Sequence, residues 1–293
     1  MFTKKILLIT SLLFIFIISN AQDIDDLMNE ASNDVVNYTT ATFKSTRMIN
    51  GHSTETVKKK HLDFRISHRF GTVNTGISNF FGIDQSTIHL AFDYGINDRL
   101  TIGYGRSSYN KTYDLTLKYK LLQQSNGKKN MPISMTYYGS IEAFSRPFAN
   151  TDRTNYFTSR LTFVNQFLIA RKFNESLSLQ LIPTIIHKNL TPTVFDMNDV
   201  FAIGIGGRYK LTNRMALTAE YYYAYHSKRS ITEYNNPISI GIDIETGGHV
   251  FQIMLTNSSI MKEGGFIYGN DNGNIFNGDI HLGFNISRMF SFN

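Results

Sequence analysis

The chain has 293 residues, no cysteine, no tryptophan and a formal charge of +6. The missing cysteines exclude a disulfide scaffold and a lipid-anchored lipoprotein. The charge is small and scattered, which argues against a nucleic-acid partner.

The chain opens with MFTKKILLITSLLFIFIISNA. Lys4 and Lys5 precede an apolar run from Ile6 to Ile18, and Ser19-Asn20-Ala21 supplies small residues. This predicts a signal peptide over residues 1–21, cleaved before Gln22. No later stretch approaches the ~18 apolar residues that a membrane-crossing helix needs. Residues 22–60 form an N-terminal extension. Ile24, Leu27, Met28, Ala31 and Val35 recur at helical spacing, which predicts a short amphipathic helix, with polar chain after it. The extension is a candidate inner plug. Lys58, Lys59 and Lys60 read as a solvated lead-in to a strand.

From His61 onward apolar residues alternate with polar ones. In HLDFRISHRF, Leu62, Phe64, Ile66, His68 and Phe70 share one face, and Asp63, Arg65, Ser67 and Arg69 share the other. The pattern recurs around residues 88–96, 100–104, 113–121, 135–143, 161–173, 177–187, 201–209, 215–225, 238–244, 251–255 and 280–290. This predicts about twelve strands over residues 61–293. Pro183 falls inside one of them and predicts a bulge.

The connections alternate in length. Ile96-to-Leu100, Phe173-to-Leu177, Leu211-to-Met215 and Glu245-to-His249 are tight turns, whereas residues 71–87, 144–160, 188–200, 226–237 and 256–279 are long. Short turns at one rim, long loops at the other and an even strand number predict an all-β, antiparallel transmembrane β-barrel. Strands of about ten residues suit a tilted membrane crossing. Tyr94, Tyr104, Tyr113, Tyr209, Tyr221, Tyr223 and Tyr225 suit interfacial girdles. Asn165 and Arg171 sit uneasily on an apolar face, and Arg171 is expected to snorkel at a rim.

TFKSTRMINGHS at 42–53, LDFRISHRFG at 62–71, FGIDQSTIHLAFDYGINDRLTIGYGRS at 81–107 and KTYDLTLKYKLL at 111–122 resemble the Bacteroidota outer-membrane β-barrel proteins of domain-of-unknown-function family 5777. The resemblance implies a barrel in the outer membrane. It implies no activity or substrate.

Enzyme chemistry finds little support. Ser67-His68 and Ser107 come nearest to a nucleophile–base pair, and no GxSxG elbow is present. Asp271-Asn272-Gly273-Asn274 lacks the glutamate of a calcium loop and reads as a flexible Gly/Asn loop. No metal or cofactor is expected. The alternation instead points Asp63, Arg65, Arg69, Asp93, Asp114, Lys118, Lys120, Glu142, Arg208, Lys210, Glu220, Asp243 and Glu245 into the lumen, six basic groups against seven acidic. This predicts a monomeric barrel, surrounded by outer-membrane lipid, with a porin-like passage for small solutes. The alternative is a closed barrel acting through its long loops at 71–87, 144–160 and 256–279. Inward-pointing Tyr138 and Tyr222 favour a filled interior, and a lipid hydrolase is a distant third.

Overall fold

The structure is a computed structural model and describes residues 35–226 and 229–292. The predicted signal peptide and the predicted N-terminal helix as far as residue 34 lie outside those residues; Val35, the last apolar position of that helix, is a bend that leads directly into a strand.

Among the described residues fourteen strands follow in chain order: β1 (Val36–Tyr38), β2 (His61–Thr72), β3 (Ser86–Gly95), β4 (Leu100–Ser107), β5 (Thr112–Leu122), β6 (Ser125–Gly127), β7 (Ser134–Phe144), β8 (Leu161–Lys172), β9 (Leu177–Lys188), β10 (Asp199–Lys210), β11 (Met215–Tyr225), β12 (Ile238–Thr246), β13 (His249–Thr256) and β14 (His281–Ser291). β1 and β6 make a small antiparallel pair, extended by Thr39 N donating to Gln124 O at 2.8 Å. The other twelve close into one antiparallel barrel, in which β14 pairs with β2 and β9 with β10.

Three of the four tight turns share one device. Asn97 Oδ1 accepts from the backbone N–H of Arg99 and Leu100, both at 2.8 Å. Asn174 Oδ1 does the same for Ser176 and Leu177, also at 2.8 Å. Thr212 Oγ1 accepts from Arg214 N at 3.2 Å and Met215 N at 3.0 Å. A short polar side chain thus satisfies N–H groups that the ladder cannot reach, which is why Asn and Thr stand there.

Pleat parity separates the two sides of the wall. Tyr223, Ile240, Ile253 and Leu255 point outward and are exposed, while their neighbours in sequence are buried inside. A closed wall leaves no strand edge unpaired, which a membrane-embedded sheet requires. Arg171 points outward at a strand end, its guanidinium over Phe173. Asn165 also points outward and accepts from Tyr137 Oη at 2.6 Å.

Two sequence expectations are corrected. Pro183 makes no bulge. The β8–β9 register is the same at Gln166↔Thr184 and at Ile169↔Leu181, and only the pairing between these points lapses. A missing N–H interrupts a ladder without requiring an inserted residue. The register shifts lie elsewhere, at His281/Gly283 against β2 and at Lys120/Leu122 against β7.

The second correction concerns the connection between β13 and β14, which was expected to stand outside. Ser258, Ile260, Lys262, Glu263, Phe266, Ile267 and Tyr268 are all buried, with a single helical turn, α1 (Glu263–Phe266), among them. Their apolar members join a cluster with inward residues of β8 to β11: Val164, Leu168, Ala170, Ile182, Ile186, Val200 and Tyr222. This arc of the wall is apolar on its inner face, so folding the connection inward removes both surfaces from water.

Candidate functional site: the occupied lumen

A second piece of chain also lies inside the barrel. Residues 42–54 are buried almost throughout, and Val57 is fully buried. They reach the wall at the short-turn rim, where Lys59 N donates to Asp98 Oδ1 at 3.0 Å and Lys60 N to Gly95 O at 2.9 Å. Below we call residues 42–57 the inner segment. The β13–β14 connection belongs to the long-loop rim, and the two insertions meet inside.

The wall grips the inner segment largely through its backbone. Lys118 Nζ donates to Thr46 O at 3.1 Å and Glu55 O at 2.6 Å. Thr136 Oγ1 donates to Thr54 O at 2.8 Å, Gln180 Nε2 to His52 O at 2.7 Å and Asn285 Nδ2 to Ile49 O at 2.9 Å. Gln252 Nε2 reaches Met48 O. Glu220 accepts from Asn50 N at 2.8 Å and Gly51 N at 3.1 Å. A non-helical, non-sheet segment can be buried only if such side chains replace its lost hydrogen bonds. Close fit matters as much. A Cβ on Gly51 would stand 1.9 Å from Tyr222 Oη, one on Gly204 2.4 Å from the Tyr222 ring, and one on Gly206 2.5 Å from Met48.

The thirteen residues expected in the lumen divide into two groups. Asp63, Arg65, Arg69, Asp93, Asp114, Lys118, Glu142, Arg208, Glu220 and Asp243 are buried on the inner face. Lys120, Lys210 and Glu245 share that parity but lie half-buried at the short-turn rim, where Glu245 pairs with Lys44 at 2.9 Å. Thr46 Oγ1 donates to Asp63 at 2.9 Å, and Arg65 contacts both Thr46 and Asp63. Arg69 donates to Asn50 Oδ1 at 2.7 Å and Asn285 Oδ1 at 3.0 Å. Asp93 lies opposite Asp63 in register. Asp243 accepts from Gln252 Nε2 at 2.9 Å.

The two insertions are joined by charge. Arg47 Nη1 lies 2.9 Å from Glu263 Oε1, and both side chains are almost wholly buried. Lys262 Nζ lies 3.1 Å from Glu263 Oε2 and 3.2 Å from Asp114 Oδ2. Tyr138 Oη donates to Glu263 at 3.0 Å. Burial alone would push the Glu263 carboxyl upward, but Lys262 and Arg47 outweigh it and hold the group below its usual range. Burial would lower Lys262, yet Asp114, Glu263 and Tyr138 hold it well above the ordinary lysine value. His52 is driven the other way: burial, then Arg47, Lys118, Lys262 and Arg65, keep it neutral. Its 3.7 Å approach to Glu263 is therefore no ion pair.

Several participants were not singled out by sequence. Gln180, Gln252 and Asn285 share the inward parity, and that is the signal that would find them. Arg47, His52, Lys262 and Glu263 carry no periodicity. Ser67 and His68 point to opposite sides of the wall; His68 faces outward and stacks on Phe284 with ring centroids 5.0 Å apart. His89 is the histidine opposite Ser107, and its Nε2 lies 2.8 Å from Asp114 Oδ1. Ser107 Oγ accepts from Tyr109 N at 3.2 Å, and no Ser107–His89 hydrogen bond is present among the described residues. Among the described residues no group of three or more His, Cys, Asp or Glu side chains is placed to hold a metal.

A family model described as a membrane-bound β-barrel domain matches residues 43–290. The chain belongs to the DUF5777 family. The match begins inside the inner segment, so the family domain includes the lumen filling as well as the wall. Among solved structures, the chain is similar to the NanC porin at 8% identity, with 79% of this chain and 99% of that chain covered and a TM-score of 0.48. It is similar to the KdgM porin at 10% identity, with coverage of 80% and 99% and a TM-score of 0.46. A COG4313 outer membrane channel from Pseudomonas putida F1 is 13% identical, with coverage of 81% and 98% and a TM-score of 0.48. A comparison with curated proteins gave no match.

Proposed function

We propose that this DUF5777 protein is a porin-like outer-membrane barrel held shut by its own chain, and that small solutes pass when the inner segment leaves the lumen. The observation that carries this reading is the polarity of the contact between segment and wall. Glu220, Lys118, Arg69, Gln180, Gln252 and Asn285 face that segment with hydrogen-bonding groups. Such groups exchange protein partners for water at small net cost, whereas an apolar seal does not. Withdrawal would leave a hydrated lumen lined on this arc by Asp63, Arg65, Arg69, Asp93, Lys118, Glu220 and Asp243. The near balance of acidic and basic groups fits weak ion selectivity.

Planar-bilayer conductance tests the reading. The chain has no native cysteine, and Asn50 and Ser239 meet side chain to side chain at 3.0 Å. An Asn50→Cys/Ser239→Cys variant should be silent when oxidised and should open in discrete steps when reduced. Wild type should open rarely, and deletion of residues 42–57 should enlarge the steps. Silence from every variant, with folded barrels shown by heat-shifted gel mobility, would refute passage. It would leave the closed barrel acting through its loops at 71–87 and 144–160, a reading that the completeness of the filling also favours.

A further inference from the structure

We propose that a cavity beneath the long loops is a binding site for a small hydroxylated organic anion, of the size and chemistry of a carboxylated monosaccharide. The cavity has a volume of about 400 Å³ and is bounded by the β4–β5, β7–β8, β9–β10 and β13–β14 connections and the adjoining strand ends. Four cations line it, Arg146, Arg160, Lys188 and Lys262, against two carboxylates, Glu142 and Asp271.

The partners of these groups decide the sign of the site. Lys262 is already paired with Asp114 and Glu263. Glu142 accepts from Gly264 N at 3.0 Å and Ser140 Oγ at 3.3 Å, and Asp271 accepts from Tyr109 Oη. Arg146, Arg160 and Lys188 have no carboxylate within ion-pair distance among the described residues. Arg160 is held by main-chain oxygens alone, Phe144 O at 3.2 Å and Arg146 O at 2.7 Å, with its guanidinium 4.1 Å over the Phe148 ring. The Lys188 ammonium stands 3.7 Å over the ring of Tyr268, whose own hydroxyl is tied to Met197 O at 2.8 Å. Glu142 and Asp271 keep their charges beside neutral donors and act on Lys188 through space, so Arg146, Arg160 and Lys188 leave the lining one positive charge in excess. Two of these three cations are held in place before any ligand arrives, which lowers the ordering cost of binding. Aromatic faces stabilise a cation only partly, and an incoming carboxylate or other anionic group would complete the charge.

The rest of the lining selects for more than charge. Asn110 and Asn270 bring amide groups to the lining, and the hydroxyls of Thr112 and Thr191, which donate to Tyr109 O and Thr193 O, keep acceptor lone pairs suited to sugar hydroxyls. Phe144 and Tyr109 add apolar ring surface. A bare inorganic anion would leave most of this lining unused. The site needs no open lumen, so it stands or falls separately from the passage reading.

The test is equilibrium binding to the folded protein in detergent, with D-glucuronate as probe and D-glucose as its uncharged match. Glucuronate should bind at least about tenfold more tightly than glucose, as a charge-assisted contact implies. That advantage should fall in about 0.5 M salt, because the site is open at its mouth. Lys188→Met should remove most of it, and Arg146→Gln, on an exposed loop where folding is not at stake, should weaken it several-fold. Equal binding of the two sugars, or glucuronate binding unchanged in both folded variants, would overturn the proposal.

Discussion

Arg47→Met removes the charge that joins the inner segment to the inward-folded β13–β14 connection while keeping most of the side chain's length. Arg47 lies 2.9 Å from Glu263, with side-chain exposures of 4% and 0%. Breaking a buried pair costs roughly 3–5 kcal/mol, because the remaining charge is stranded. Here Lys262 stays 3.1 Å from Glu263 and compensates in part, so the lower end applies. A cost of ~3 kcal/mol corresponds to a rise of about 150-fold in the population with the segment undocked. Hydrogen exchange of backbone amides in residues 42–57 reads that population directly. Lys44→Met is the internal control. Lys44 also belongs to this stretch of chain and pairs with Glu245 at 2.9 Å, but the two side chains are 32% and 37% exposed. An exposed pair contributes roughly 0–1 kcal/mol, so exchange should change by less than about fivefold. Equal responses to the two substitutions would refute the argument that burial of the Arg47–Glu263 pair docks the segment.

Gly51→Ala should loosen the segment, since its Cβ would meet Tyr222 Oη at 1.9 Å; adding Tyr222→Phe should recover part of the protection, because the next nearest atoms, Tyr222 Cζ at 3.1 Å and Glu220 Oε2 at 3.2 Å, need give only slightly. Tyr222→Phe alone should be neutral or stabilising by up to ~1 kcal/mol in denaturant unfolding, because the buried hydroxyl has no hydrogen-bond partner among the described residues. Acid should release the segment in two stages. His52 is held neutral, so undocked chain binds protons more readily as pH falls below about 6.5 and protection declines from there; His52→Gln should flatten that stage. Glu263 is held ionised, so its contribution is full above the ordinary glutamate range and is lost as pH falls below about 4.3; exchange measured from neutral pH down to well below that value separates the two.

The wall was legible because its rules are local. Parity alone assigns Asp63, Arg65 and Arg69 to one face of β2 and Phe64, Ile66 and His68 to the other. The motif Asn-Asp-Arg at 97–99 declares its turn because Asn97 itself caps the N–H groups. The filling was not legible, because nothing local distinguishes it from an outer loop. The stretch SSIMKEGGFIYGNDNGN mixes apolar residues with turn formers, as exposed loops also do. Its inward course is set by Val164, Leu168 and Ala170 about a hundred residues earlier, whose apolar inner face needs a partner. The cations under the loops were missed for the same reason. Arg146 and Arg160 stand at opposite ends of the β7–β8 connection and Lys188 at the end of β9, and only the folded wall brings them together.

The seam of the wall bears on how the molecule is made. β2, the first barrel strand, pairs with β14, the last, and Phe292 N donates to Lys60 O at 2.9 Å where the two ends meet. The cylinder therefore cannot shut until the final strand has docked. By then the inner segment, which precedes β2, and the connection that precedes β14 must both have found the interior, or be threaded past a finished rim. Packing the lumen and zipping the seam thus become parts of one assembly step, with the earliest and latest segments of the domain bound to the same moment.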